Sequence, residues 1–249
     1  MAETMIVLFT DFGTNSPYVG QMKAAIYSRY NSACIIDLFA TAPACNPGSA
    51  AHLLAAYVGE FDKETVFLCV VDPGVGNAQR KAVVAEIDGR YFVGPDNGLF
   101  DVVAARAGKA ARREIIWRPK RLSATFHGRD LFAPVAAELA QGTLPHDWLA
   151  EAQPYEPTDV AAGLAEIIFI DDYGNAITGI RAEDMGPDAQ LKAGGRILQQ
   201  CRAFFEGAPG EPFWYENSNG LVEIAVNRGS ASILLGLTLG MPVEVVEAG

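Results

Sequence analysis

Thr65-Val66-Phe67-Leu68-Cys69-Val70-Val71-Asp72-Pro73-Gly74-Val75-Gly76 is the stretch that decides the fold. Residues 65–71 form an unbroken run rich in β-branched side chains, the composition of a strand buried on both faces. Strands of that kind belong to parallel sheets with helices packed on each side. The run stops at Asp72. Pro73 then fixes one φ angle, and Gly74 and Gly76 permit close backbone approach or positive φ. Open α/β sheets bind ligands outside the carboxyl ends of their strands, so the break is a candidate site as well as a turn. The loop resembles a phosphate cradle, but the Lys-Ser/Thr of a P-loop is missing.

Outward from this strand, apolar runs and helical spacings alternate. Residues 5–9 and 33–38 read as strands, and residues 18–30 and 47–61 as helices, the second opening with Pro47-Gly48-Ser49. Residues 81–87 and 91–93 flank Asp88-Gly89, a hairpin signal. Residues 99–107 and 130–141 read as helices. The pattern predicts an α/β domain over residues 1–150 with a mostly parallel central sheet. Residues 151–163, with Pro154, Pro157 and Gly163, read as a linker. Residues 164–249 carry only short strand signals, at 165–170, 176–180, 196–204, 221–226, 231–235 and 243–246, and predict a smaller antiparallel, barrel-like β domain.

Composition narrows the function. The chain has 249 residues, half of them hydrophobic and 20% charged, which excludes a disordered chain. Its net charge is −11, and residues 151–249 alone carry 5 basic against 15 acidic side chains. That balance argues against nucleic-acid binding, which needs a basic face. No apolar run is long enough to span a bilayer, and the N-terminus lacks the basic region of a signal peptide. Cys34, Cys45, Cys69 and Cys201 have no metal-type spacing. A soluble cytoplasmic protein without structural disulfides is expected.

Polar residues gather at strand ends. Asp11, Asp37, Asp72, Asp171 and Asp172 each follow or end an apolar run. Any one of them could cap a helix or turn the chain; together they suit ribose hydroxyls, a cation or a proton. Gly94-Pro95-Asp96-Asn97-Gly98 is a second rigid turn, in which Asn97-Gly98 alone reads as ordinary turn chemistry. Of three histidines, His52 reads as structural and His146 as solvated. His127, in Thr125-Phe126-His127-Gly128-Arg129-Asp130, is the acid/base or anchoring candidate, with a structural role for it still open. Three separated histidines without paired cysteines do not suit zinc, while composition alone leaves carboxylate-bound magnesium open.

Six motifs occur in register: Leu8-Phe9-Thr10-Asp11-Phe12-Gly13, Val71 to Gly76, Pro95-Asp96-Asn97-Gly98, Thr125 to Asp130, Asp171-Asp172-Tyr173-Gly174-Asn175 and Asn217-Ser218-Asn219-Gly220. With them the chain resembles the S-adenosyl-L-methionine hydroxide adenosyltransferases, relatives of the fluorinase and chlorinase enzymes. The resemblance implies hydrolysis of S-adenosylmethionine to adenosine and L-methionine, with no metal or other cofactor. It implies a water-holding triad of Asp72, His127 and an Arg. Seven residues after Asp72, where the Arg is expected, stands Gln79; Arg80 follows and is assigned the role through a one-residue loop insertion. It further implies Asp11 on the ribose hydroxyls, Asp171 on the methionine ammonium, Tyr173 near adenine, Asn175 on the adenine edge and Ser218 on methionine. Phe39-Ala40 and Pro43-Ala44-Cys45-Asn46 depart from the family's usual Thr-His and Pro-Pro-x-Asp. The implied partner is a small molecule, and the implied assembly a homotrimer with active sites between subunits. The alternatives are a halogenase on the same scaffold, a catalytically silent adenosine or S-adenosylmethionine binder, and a divalent-metal phosphoesterase.

Overall fold

The chain begins with β1 (Met5–Thr10), α1 (Tyr18–Tyr27), β2 (Cys34–Phe39), α2 (Pro47–Tyr57) and β3 (Val66–Val70). It continues through β4 (Ala82–Ile87), β5 (Arg90–Pro95), α3 (Asp101–Ala105), β6 (Ala110–Glu114), α4 (Ala133–Gln141) and β7 (Gln153–Pro154). The computed structural model describes residues 4–158, 160 and 163–246, which divide into two units at residue 160.

The first unit holds one seven-stranded sheet in the order β2-β1-β3-β5-β4-β6-β7. Strands β2, β1, β3 and β5 run parallel, and β4 is antiparallel to β5 and β6. Every residue of β3 is buried, as its apolar run requires. From β1 the chain steps to one side to form β2, then crosses back to form β3 on the other side. Right-handed crossovers in opposite directions put their helices on opposite faces. Accordingly α1 packs with α4, and α2 with α3. On the first face Ile6, Leu8, Leu68 and Val93 meet Met22 and Ile26 of α1 and the small residues Ala133, Ala136 and Ala137 of α4. The reversal leaves a crevice between the carboxyl ends of β1 and β3, the topological switch point where such sheets bind ligands.

Local signals account for the element ends. The Asn46 side chain caps α2 by accepting from the Ser49 N–H at 3.1 Å, and Pro47 fills the first turn. Asp88 (φ 47°) and Gly89 (φ 81°) are both left-handed, as the two-residue β4–β5 hairpin demands. Residues 128–132 form a wide π-type turn that runs into α4, so the helix expected from residue 130 begins two residues earlier and takes up α geometry only at Ala133. Residues 151–163 include the edge strand β7, and Tyr155 is buried with its hydroxyl on Asp101 at 2.8 Å. Residues 159, 161 and 162 of that segment lie outside the described residues.

The second unit contains β8 (Leu164–Ile170), β9 (Ala176–Arg181), β10 (Gln190–Ala193), β11 (Arg196–Leu198), β12 (Pro212–Glu216), β13 (Leu221–Val226), α5 (Ala231–Leu235) and β14 (Glu244–Val246). Its strands make two separate antiparallel sheets, β12-β13-β9-β8 and β11-β10-β14, in place of one closed barrel. Trp214, Ile224, Val222 and Leu191 fill the core they enclose. Residues 231–235 are a short helix and not the expected strand. Ser230 caps it by accepting from the Ile233 N–H, and Gly236 ends it in the left-handed region.

Candidate active site

Two short connections bring carboxylates to the switch point. Asp11 follows β1, and Asp72 lies two residues beyond β3. The Asp11 carboxylate accepts the Cys45 N–H at 2.9 Å, which ties it to the loop after β2. Burial raises its pKa; the Cys45 hydrogen bond opposes the rise and the nearby Asp72 charge adds to it.

The Asp72 side chain is only 4% exposed. One of its oxygens, Oδ1, accepts the Gly74 N–H at 3.1 Å and Arg80 Nη1 at 3.2 Å. The Arg80 guanidinium lies against Gly74, where a Cβ would come 2.7 Å from Nη2. Gly76 has φ +86°, and a Cβ there would meet the Ala124 carbonyl at 2.4 Å. Gly76 is therefore required by close approach to backbone and seats the loop against the segment leading to His127, while at Gly74 a side chain would displace the Arg80 guanidinium. Gln79 is exposed, and its N–H caps Asn77 Oδ1 at 2.9 Å. The loop thus directs Arg80 to the carboxylate and leaves Gln79 outside.

His127 stands at the mouth of the turn into α4. Asp130 fixes this segment by accepting the Ser123 N–H at 2.8 Å and the Arg129 guanidinium on both oxygens, at 2.6 and 3.0 Å. Arg129 also donates to Gln21 of α1 at 3.0 Å. This bidentate pairing holds the Asp130 carboxyl below the ordinary range. Burial lowers the His127 pKa; Asp72 and Asp130 oppose the change and Arg118 adds to it. The imidazole is consequently neutral at pH 7 and carries one donor and one acceptor nitrogen.

Asp72, His127 and Phe132 line two cavities. The smaller, about 60 Å³, adds Asp11, Phe12, Val75 and Phe126. The larger, about 380 Å³, adds Arg80, Asn77 and Arg118. Phe12, Tyr18 and Phe126 meet edge to face, with centroids 5.3–5.7 Å apart, and give the smaller cavity an apolar rim. The structure thus gathers four of the residues singled out from sequence, Asp11, Asp72, Arg80 and His127, in one region of the first unit.

In the second unit a cavity of about 580 Å³ is lined by Asp171, Tyr173, Asn175, Phe204, Tyr215, Glu223 and Arg228, among others. The Asp171 carboxylate organises the β8–β9 turn. Its Oδ1 accepts the Tyr173 and Asn175 N–H groups at 2.9 and 2.8 Å, and Oδ2 accepts the Asn175 amide at 3.1 Å. The Tyr173 ring is 82% exposed. Ser218 does not join this group: it is exposed on the β12–β13 turn, 3.1 Å from Asn219 Oδ1.

Glu223 is the residue that sequence reading missed. It is buried in β13, bonded by the Tyr215 hydroxyl and by Asn217 Nδ2 at 3.0 Å. Burial raises its pKa, the Tyr215 and Asn217 bonds oppose this, and Asp171 adds to it. Its one signal was a lone acid inside an otherwise apolar strand. Among the described residues no cluster of three or more His, Cys, Asp or Glu side chains suits a metal ion, and no helix is long and apolar enough to cross a membrane.

Comparison with known proteins agrees with this architecture. The chain is 38% identical to the (R)-S-adenosyl-L-methionine hydrolase of Thermus thermophilus, over 97% of this chain and 99% of that protein. A solved structure of an uncharacterised conserved protein from Thermotoga maritima superposes with a TM-score of 0.85 at 37% identity, covering 97% of this chain and all of that one. A fluorinase from an Actinoplanes species is more distant, 23% identical over 98% of each chain. Residues 6–148 match the model of the SAM hydroxide adenosyltransferase N-terminal domain and residues 165–244 that of the C-terminal domain, so the chain belongs to the SAM hydroxide adenosyltransferase family.

Proposed function

We propose that the protein hydrolyses S-adenosyl-L-methionine to adenosine and L-methionine by in-line attack of water or hydroxide on ribose C5′. The observation that carries this reading is the meeting of Asp72, Arg80 and His127 at the switch point beside Asp11, in a chain similar over its whole length to proteins named for this hydrolysis. The leaving group is a thioether departing from a sulfonium, so it leaves neutral and needs no Lewis acid. The difficulty lies in the nucleophile, which must be aimed along the C5′–S bond. Positioning of this kind is worth roughly 7–11 kcal/mol at best.

In this reading Asp72 accepts a proton from the water, a contribution of about 10²–10⁴-fold. Arg80 favours the hydroxide-like oxygen through its fixed charge, and neutral His127 orients the same oxygen. Asp11 takes the ribose hydroxyls. Residues 1–150 supply this chemistry, and residues 164–249 supply the remaining substrate contacts. There Asp171 faces the ammonium and Tyr173 and Asn175 face the adenine, while Ser218, exposed on the β12–β13 turn apart from that cavity, faces the methionine. Asp171 Oδ2 accepts one hydrogen bond, from Asn175, and a carboxylate oxygen has capacity for a second. A homotrimer with sites between subunits and a cytoplasmic location complete the reading; the free cysteines suit a reducing compartment.

The test is turnover of S-adenosylmethionine by pure protein in ¹⁸O-water. Adenosine labelled at the 5′ oxygen, together with equimolar methionine, is the expected result, unchanged by chelator. Absence of adenosine above the enzyme-free rate rejects the reading. Formation of 5′-halo-5′-deoxyadenosine on adding chloride or fluoride selects the halogenase instead.

A further inference from the structure

The loop that carries Asp72 and Arg80 is closed at its base by a turn that lines neither cavity. Strand β3 pairs with β5 only as far as Leu68 opposite Val93. Beyond that point the carbonyl of Val71, the residue before Asp72, would lack a partner from β5. Asn97 Nδ2 donates to it at 2.8 Å. At the other end of the loop, Lys81 follows Arg80. Its carbonyl accepts the Asp96 N–H at 3.0 Å. Two adjacent residues of one turn therefore hold the loop's entry and exit.

The turn itself is fixed. Asn97 Oδ1 accepts the Leu99 N–H at 3.3 Å, Gly98 adopts φ +92°, and Asp96 pairs with Arg112 at 2.9 Å. Gly94 brings β5 so near β3 that a Cβ there would lie 2.3 Å from the Cys69 carbonyl.

We infer that Asn97 is a positioning residue for the hydrolytic centre: by holding the Val71 carbonyl it sets the backbone from which the Asp72 carboxylate is aimed. The catalytic part of this inference rests on the hydrolase reading. An amide is needed because the partner is an acceptor. Aspartate has nearly the same shape but sets oxygen against oxygen, and alanine leaves the carbonyl bare.

The experiment compares wild type, Asn97→Asp and Tyr155→Phe in the full chain. Tyr155→Phe removes the nearby buried hydrogen bond to Asp101 without touching the loop. Steady-state turnover, melting temperature and hydrogen exchange of the peptide spanning residues 72–80 are measured on each. For N97D we expect kcat to fall about 10²-fold, the effect of a misplacement near 1 Å. KM should stay within about threefold, and exchange at 72–80 should quicken at least ~10-fold. Y155F should melt lower but keep its kcat and its exchange at 72–80. N97D with kcat within about twofold of wild type, or with unchanged exchange at 72–80, overturns the inference. A wild type that makes no adenosine defeats the hydrolase reading alone, and the exchange measurement still decides the role of Asn97. Should N97D not fold, Asn97→Ser, which keeps a donor at shorter reach, is expected to lose about 10-fold in kcat, and no loss overturns the inference.

Discussion

A single imidazole among two carboxylates and an arginine takes its proton affinity from its surroundings. Burial and Arg118 push the His127 pKa down, and Asp72 and Asp130 hold part of it back. The net direction is downward, so in the proposed reaction the neutral form works and protonation sets in below the ordinary histidine value. The acid limb of kcat/KM, which reports the free enzyme, should therefore have its midpoint below about 6.5; a midpoint above that value would contradict this. His127→Ala should lower kcat by about 10²-fold or more while the affinity for adenosine changes far less. Equal losses in both would mark a binding or structural residue. The choice between Gln79 and Arg80 has a geometric argument on one side: Arg80 reaches Asp72, whereas Gln79 is exposed and donates its backbone N–H to Asn77 Oδ1. Arg80→Ala should cost about 10²-fold or more in kcat, and Gln79→Ala should leave kcat within about twofold. The reverse order of losses would overturn the assignment of Arg80.

At the scale of elements, the β3–β5 contact carries the site and has little tolerance for added volume. A methyl group at Gly94 would press on the Cys69 carbonyl, which is backbone in a buried strand and cannot swing aside. Gly94→Ala should cost about 1–3 kcal/mol, read as a lower urea midpoint with an unchanged slope. An unaltered midpoint would mean that the strands can part at that level. The same contact shows what was legible in sequence. The buried run 66–70 and the Asp88-Gly89 hairpin announced themselves through composition and turn chemistry. So did the start of α2, through Pro47-Gly48-Ser49, whereas the Asn46 cap emerged only in the structure. Strands β6, β7 and β10 did not, because they are short or charged and owe their pairing to neighbours elsewhere in the chain; β12 differs, since its run Phe213-Trp214-Tyr215 is itself a strand signal. Residues 231–235 were misread because an apolar run of five suits strand or helix alike; the Ser230 cap and the Gly236 stop were the arbiters. In the site, Asp72 and His127 stood out by residue type at a strand end and before a helix. Asn97 looked like an ordinary turn residue, since the carbonyl it serves lies 26 positions earlier in the chain.

On the scale of the whole molecule, charge and substrate are opposite in sign. The protein carries −11 in all, and both cavity regions present carboxylates, Asp11 and Asp72 in one unit, Asp171 and Glu223 in the other. The proposed substrate has one net positive charge, from a sulfonium and an ammonium against a carboxylate. The products, adenosine and zwitterionic methionine, have none. A field of one sign draws in the cation and is indifferent to the neutral products. Salt shortens its reach, from about 30 Å at 0.01 M to about 10 Å at 0.1 M and 3 Å at 1 M. The expected signature is therefore asymmetric. As ionic strength rises, KM for S-adenosylmethionine should increase and kcat/KM should fall. Meanwhile kcat at saturation and the inhibition constant of adenosine should hold steady. Parallel weakening of substrate and adenosine would instead point to salt acting on the fold or assembly. A KM independent of salt would mean that only short-range, buried contacts recognise the cation, leaving the acidic excess of residues 151–249 without a part in capture.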